Sequence, residues 1–229
     1  MVDPAARNEV TLVIDDGPTA STQALLSLLE EAGHRAVLFI VGHRLSGFEP
    51  LASGKAARRM RTLIHAVQGG FALGNHSYAH TPFSTISFKQ ARKSIERTDR
   101  LIDEIYADAG VRRPGKWFRF PYGDAGGECL HAFQDLLQAM GFERPPCLTR
   151  HIGEEERARL DWPTTLSTRD WELPSESEFR QRLRQARPGE VIEFHDFPHT
   201  IDRFGASIVE ELSGLSLRAP IPSALEDRS

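Results

Sequence analysis

Cysteine is scarce in this chain of 229 residues: there are two, Cys129 and Cys147. Two thiols are too few for a disulfide framework and too far apart for a zinc knuckle, so they read as two buried thiols. No apolar run approaches the roughly 18 residues that a membrane-spanning helix requires. An excess of basic residues is also missing. Lys and Arg number 28 against 32 Asp and Glu, a formal charge of −4. That mild acidity argues against a nucleic-acid or anionic-membrane partner. The densest basic run, "KAARRMR" from Lys55 to Arg61, has helical spacing and reads as a solvated helix face. The opening "MVDPAARNEV" lacks the basic and apolar regions of an export signal. As written the protein is expected to be cytoplasmic, or periplasmic or secreted where such a signal has been removed. No Gly/Ser-rich linker is seen, and the 40% hydrophobic and 26% charged shares are those of a folded protein. One domain over 1–229 is expected, with a core of about 8–215. The oligomeric state is not legible.

What is present is an alternation. Val10 to Ile14 is short, apolar and rich in β-branched residues, and "TASTQALLSLLEEAGH" behind it has capping residues, helical spacing and a closing Gly33. "RAVLFIVG" then reads as a buried strand, and "KAARRMRTLIHAVQGG" as a helix ended by glycines. Further strands are expected at "FALGN", "KWFRFPYG", near Pro146 to Thr149, at "PTTLST" and at "EVIEFHDF". Helices are expected near Ser87 to Ala107, Glu128 to Met140, Glu176 to Ala186 and Phe204 to Leu212. A βα order repeated about seven times implies an α/β fold with a parallel sheet, open or closed into a barrel. Within "KWFRFPY", alternation pairs Trp117 with Arg119 and Phe118 with Phe120, and one pair should pack under helices.

Polar clusters fall where the strands stop: Asp15 and Asp16, His76 and His80, Arg119, Asp170 and Trp171, and His195. In parallel α/β folds these strand ends share one edge, where ligand sites are built. "NHSYAH" spaces two histidines four apart, which puts both imidazoles on one face of a helical turn. With Asp16 they make a three-ligand set suited to a divalent ion, zinc first, with cobalt, nickel or manganese as alternatives. In "LVIDDGPT" two aspartates adjoin at a strand end, and Gly17 and Pro18 supply a turn there. One carboxylate suffices as third ligand, so the other is free to act as a base toward a metal-activated water.

The motifs "IDDGP", "HSYAH", "RFPYG", "RDW" and "EFHD" resemble, in order and rough spacing, the five motifs of the polysaccharide deacetylases, the NodB-like family 4 carbohydrate esterases. The resemblance implies a distorted (β/α) barrel and a metal-dependent hydrolase that removes acetyl groups from an acetylated sugar or polysaccharide. Residue by residue it implies Asp15 as catalytic base, with Asp16, His76 and His80 as metal ligands. Arg119 matches the arginine that orients the base, and Tyr122 the position whose backbone N–H helps hold the oxyanion. Asp170 matches the acid that tunes the catalytic histidine, Trp171 a wall of the acetyl pocket, and His195 the general acid.

The chain also departs from that pattern. Glu193 stands where many members have an apolar residue lining the acetyl pocket, Ser167 replaces an acidic position, and the second strand lacks a common threonine. Glu193 shares a strand face with His195, so it pairs with Arg119 or another buried cation, or it contacts a polar or cationic substrate group. His199 repeats the ligand spacing after His195, but Pro198 is expected to interrupt a helix there, so no second metal site is expected. Rival functions are a deformylase or amidohydrolase acting on a small C–N substrate, and an inactive sugar-binding homologue. A phosphatase of the D-x-D-G-T type is disfavoured because the two aspartates adjoin.

Overall fold

The computed structural model describes residues 9–45, 54–145, 152–213 and 215. Five strands form one sheet: β1 (Thr11–Gly17), β2 (Val37–Ile40), β3 (Ala72–Asn75), β4 (Leu166–Ser167) and β5 (Val191–His195), in the order β3-β2-β1-β5-β4. Every pairing is parallel. Among the described residues the sheet continues beyond β3 as single parallel bridges, Asn75 to Phe118 and Phe118 to Asp161. Asp161 runs on into β4, so the circuit of parallel segments comes round without a closing ladder. Of the strands expected, "KWFRFPYG" takes its place in that circuit through one bridge on each side, and the run near Pro146 lies outside the described residues. Pro121 and Pro163 have no N–H to donate, and they cut these two segments short.

The helices follow the strands as the alternation predicts: α1 (Thr22–Glu31), α2 (Gly54–Gln68), α3 (Phe88–Ala109), α4 (Leu130–Ala139), α5 (Glu154–Ala158), α6 (Glu176–Arg184) and α7 (Pro198–Leu212). Helix α3 is started by a capping box in which Ser87 Oγ accepts from Gln90 N–H and Gln90 Oε1 accepts from Ser87 N–H. It is stopped by Gly110 in the left-handed conformation. Pro198 does not interrupt a helix; it opens α7 at the first turn, where its missing N–H has no intrahelical partner to lose. Cys129 is also corrected: it is exposed, in the turn leading into α4. Cys147 lies outside the described residues. In α2, Lys55, Arg58 and Arg61 are exposed, as a solvated face requires.

Alternation along the strands makes two apolar layers. Leu12, Ile14, Leu38, Ile40, Leu73, Ile192 and Phe194 pack outward under α1, α2, α3, α6 and α7. Phe118 and Phe120 face outward too, buried with Ile95 of α3 and Phe133 and Leu137 of α4. The opposite face gathers Val13, Val37, Phe39, Ala72, Trp117, Trp162 and Val191 into a separate inner cluster. The inner space is tight. A Cβ on Gly74 would sit 2.3 Å from the Phe39 ring, so the ring's position excludes any side chain there. Further along the same inward faces, apolar side chains give way to Asp15, Arg119, Glu193 and His195.

Candidate active site

A defect in β1 delivers the paired aspartates. Ile14 is opposite Leu38 while Gly17 is opposite Ile40, so β1 carries one more residue than β2 over that interval. The extra residue is a bulge, which re-aims side chains that a regular strand would send to opposite faces. Asp16 sits in it at φ +67°, a conformation uncommon for a residue with a side chain. The histidine pair is assembled differently from the expectation. Residues 76–80 form no helical turn; Ser77 and His80 have φ of +65° and +51°, and these left-handed steps fold the loop so that both rings converge. Asn75 Oδ1 accepts from Ser77 N–H at 2.9 Å, and Ser94 Oγ on α3 accepts from Tyr78 N–H at 2.7 Å. Side-chain acceptors thus hold a loop that has no ladder of its own.

Asp16 Oδ1 lies 2.8 Å from His80 Nε2 and 3.4 Å from His76 Nε2. His76 Nδ1 is 2.9 Å from the Arg119 carbonyl, an acceptor only, so Nδ1 carries the proton and Nε2 presents its lone pair. Asp16 Oδ1 is buried without an aligned hydrogen bond. One carboxylate oxygen and two imidazole nitrogens therefore converge, the donor set of a three-protein-ligand catalytic zinc site. Burial pulls the Asp16 carboxyl upward, but the adjoining His76 and His80 rings outweigh it and hold the group well below the usual carboxylate range.

Beside this set lies a second one, Asp15, Glu193 and His195, whose ligand atoms are equally close together. Arg119 already occupies it. Its Nε donates to Asp15 Oδ2 at 2.6 Å and its Nη2 to Glu193 Oε1 at 2.8 Å. Nη1 donates to the Pro163 carbonyl at 3.0 Å, and Nη2 also reaches the Thr164 hydroxyl. Burial acts to lower the Arg119 pKa, yet the two carboxylates raise it, so the guanidinium is a fixed cation and a further ion there would face like charge. Glu193 is pushed up by burial and by Asp15, against the pull of Arg119. Asp15 Oδ1 makes no hydrogen bond among the described residues, which leaves it lone pairs for a proton.

His195 stands opposite Asp15 across the β1–β5 register. Its Nδ1 is 2.9 Å from Asp170 Oδ1, and its backbone N–H donates to Asp170 Oδ2 at 3.0 Å. Thr200 Oγ1 donates to the same Oδ2 at 2.6 Å, so Asp170 is fixed and fully buried. Burial alone would lower the histidine, but the hydrogen bond and charge of Asp170, with Asp15 and Asp16 beyond, raise it to about 9. The Trp171 edge meets the His195 ring at 5.1 Å and Phe197 stacks on it at 5.0 Å, which leaves Nε2 as its free nitrogen. Arg169 and Leu173 bracket the Asp170–Glu172 turn at φ +52° and +53°. Two strained residues hold one short turn at the site.

Nine of the ten residues expected from the sequence line one cavity of about 500 Å³; Asp170 is behind His195. Tyr122, 69% exposed, and Trp171, 44% exposed, stand at its rim, with the Tyr122 ring 4.5 Å from that of His80. Sequence reasoning missed Thr164 and Phe197, which also line it. Phe197 carried a signal, since it lies two residues past His195; Thr164 carried none, because only the fold brings it to Arg119. Four carboxylates, Asp15, Asp16, Glu193 and Asp170, thus face one guanidinium and the His195 ring.

A cavity built at the strand ends from five distant segments defines the class. A profile of the polysaccharide deacetylase family matches residues 3–143, and the chain belongs to that family. Among curated proteins it is 29% identical over 159 residues to a chitin deacetylase of Colletotrichum lindemuthianum, covering 64% of this chain and 58% of that protein. It is 26% identical to the peptidoglycan-N-acetylmuramic acid deacetylase PdaC of Bacillus subtilis, covering 99% of this chain and 40% of that one. The chain thus spans about half the length of these relatives. Among solved structures, a family 4 carbohydrate esterase from Streptomyces lividans in complex with acetate superposes with a TM-score of 0.66 at 28% identity, over 93% of this chain and 91% of that one.

Proposed function

We propose that the chain is a metal-dependent hydrolase that removes acetyl groups from an N-acetylated, or O-acetylated, sugar or polysaccharide. The observation that carries this reading is the division of labour at the bulge: Asp16 joins His76 and His80, while Asp15 stays with Arg119 beside them. A divalent cation on the first three, zinc by donor type, would lower the pKa of a water to about 7 and polarise the acyl carbonyl.

The remaining steps belong to the chain's own residues. Asp15 Oδ1 takes the proton of the attacking water as its oxygen bonds to the carbonyl carbon. Arg119 holds that carboxylate in place through Oδ2. The Tyr122 backbone N–H, at the rim, is assigned to the developing oxyanion, where loss of one such donor costs about 3 to 4 kcal/mol. His195, its cationic form favoured by Asp170, gives its Nε2 proton to the leaving nitrogen as the C–N bond breaks. Trp171 and Tyr122 offer apolar faces to the sugar.

The test is release of acetate, measured beside formate and ammonia, from a chitooligosaccharide and an acetylated-glycan panel. Acetate is expected. Formate or ammonia alone would replace this reading with a deformylase or amidohydrolase, and no product with sugar still bound would make the chain a binding homologue.

A further inference from the structure

Asp196 follows His195 but does not line the cavity; it is fully buried on the other side of the chain end. Its Oδ2 accepts from Thr19 N–H at 3.1 Å and from the Thr22 hydroxyl. Its carbonyl accepts from Thr19 Oγ1 at 2.6 Å. These bonds tie the end of β5 to the segment between the Asp15–Asp16 bulge and α1, a separation of 177 positions in sequence. Gly17 makes the approach possible, because a Cβ there would lie 3.0 Å from Asp196 Oδ2. The other carboxylate oxygen, Oδ1, finds no partner among the described residues. Burial accordingly pushes the Asp196 carboxyl up to about 6. An apolar side chain would fill this space without that desolvation cost, so packing alone does not account for an acid here.

We propose that Asp196 is a positioning residue for the metal centre: it clamps the Gly17–Thr22 turn to the end of β5 and so holds Asp16 in its left-handed conformation at a fixed distance from His195. The clamp acts on three links at once. It fixes the Asp16 carboxylate against the two imidazoles, it ties down the first residue of α1 through the Thr22 hydroxyl, and it sets the gap between the strand that supplies the base and the strand that supplies the acid. This rests on the reading of Asp16 as a metal ligand.

The experiment measures zinc dissociation constants by chelator competition on the full chain, with urea midpoints alongside. Asp196→Ala is expected to weaken zinc about 10- to 100-fold, the range found when outer partners of metal ligands are removed. Asp196→Asn keeps an oxygen for Thr19 N–H and Thr22 O–H and is expected to restore binding to within about threefold of wild type. If the alanine variant does not fold, Thr22→Val, which removes one donor and keeps the shape, is read in its place and is expected to weaken zinc severalfold. Variants with lowered urea midpoints but wild-type zinc affinity would overturn the proposal and make Asp196 a folding residue only. A wild-type chain that binds no zinc overturns the metal reading as well, so the two failures are distinguishable.

Discussion

The inward faces of the same strands carry two regions that differ in every physical respect. Below are Val13, Val37, Ala72, Trp117 and Val191, an apolar layer with no charge to satisfy. Two residues on stand Asp15, Arg119 and Glu193, and two beyond Glu193 stands His195, groups that satisfy one another only in part. Strand periodicity places them on one face, so position along the strand, not orientation, separates the layer that stabilises the fold from the layer to which we assign the chemistry. The lower layer carries no ionisable group. The upper one gathers more carboxylates than cations, the imbalance that the proposed divalent ion would relieve.

Substitutions in the two layers should therefore separate binding, turnover and stability. The largest effect belongs to the ligands: His76→Ala or His80→Ala is expected to abolish both metal content and acetate release, as is exhaustive chelation of the wild type. Asp15→Asn should retain the metal and lose about 10²- to 10⁴-fold in kcat, the range for a positioned base. Metal analysis beside acetate assays checks both. In the layer below, Trp117→Ala should cost about 3–5 kcal/mol in urea unfolding, while the folded fraction still binds zinc with near-native affinity. Loss of zinc binding in the folded fraction of that variant would break the separation.

The next effect in size is a pH dependence that only the upper layer can give. His195 has a native pKa raised from 6.5 to about 9, with Asp170 as the main cause against burial. A raised value means protons are bound more tightly in the native state, so the stabilisation is fully present below about pH 6.5 and is lost as pH rises through about 9. For the metal-free chain the amount is on the order of 2–3 kcal/mol, reduced from the nominal shift because Asp15 and Asp16 share in it. The stability difference between wild type and His195→Gln should shrink by that amount between pH 6 and pH 10 in urea unfolding. A constant difference across that range would mean that His195 is not held cationic. Acetate release by the metal-loaded chain should fall on an alkaline limb below about pH 9, because a cation on Asp16 cancels part of the charge that raises His195, and Asp170→Asn should move that limb further toward acid.

Much of this contrast was legible in the chain. The alternation fixed the strands because β-branched runs and helical spacing are local signals, and the strand-end polar residues then had only one edge to share. What stayed hidden was geometry made by irregular backbone. Nothing in "LVIDDGPT" announces a bulge, since the extra residue is defined only against β2. "NHSYAH" reads as a helical turn, yet the rings converge through left-handed steps at Ser77 and His80 that the partners Asn75 and Ser94 stabilise from elsewhere. The exposure of Cys129 and the opening position of Pro198 were misread for a related reason. Both depend on where an element begins, which is the weakest local signal.

The smallest effect tests whether the upper layer is a partnership of charges or a set of separate contacts. Glu193→Leu puts an apolar residue where the family resemblance implies one. Removing one member of a buried ion pair costs about 3–5 kcal/mol when the other is left alone. Arg119 is not left alone, because Asp15, the Pro163 carbonyl and Thr164 remain on its other N–H groups. The expected stability cost is therefore only ~1 kcal/mol. Since the Glu193 Oε1 is taken by Arg119, relative kcat/KM values across formyl, acetyl and hydroxyacetyl sugars should stay within about threefold of wild type, under ~1 kcal/mol. A change of about tenfold or more in that ratio would make Glu193 a direct substrate contact, and the charged layer would then be built for an acyl group other than acetyl.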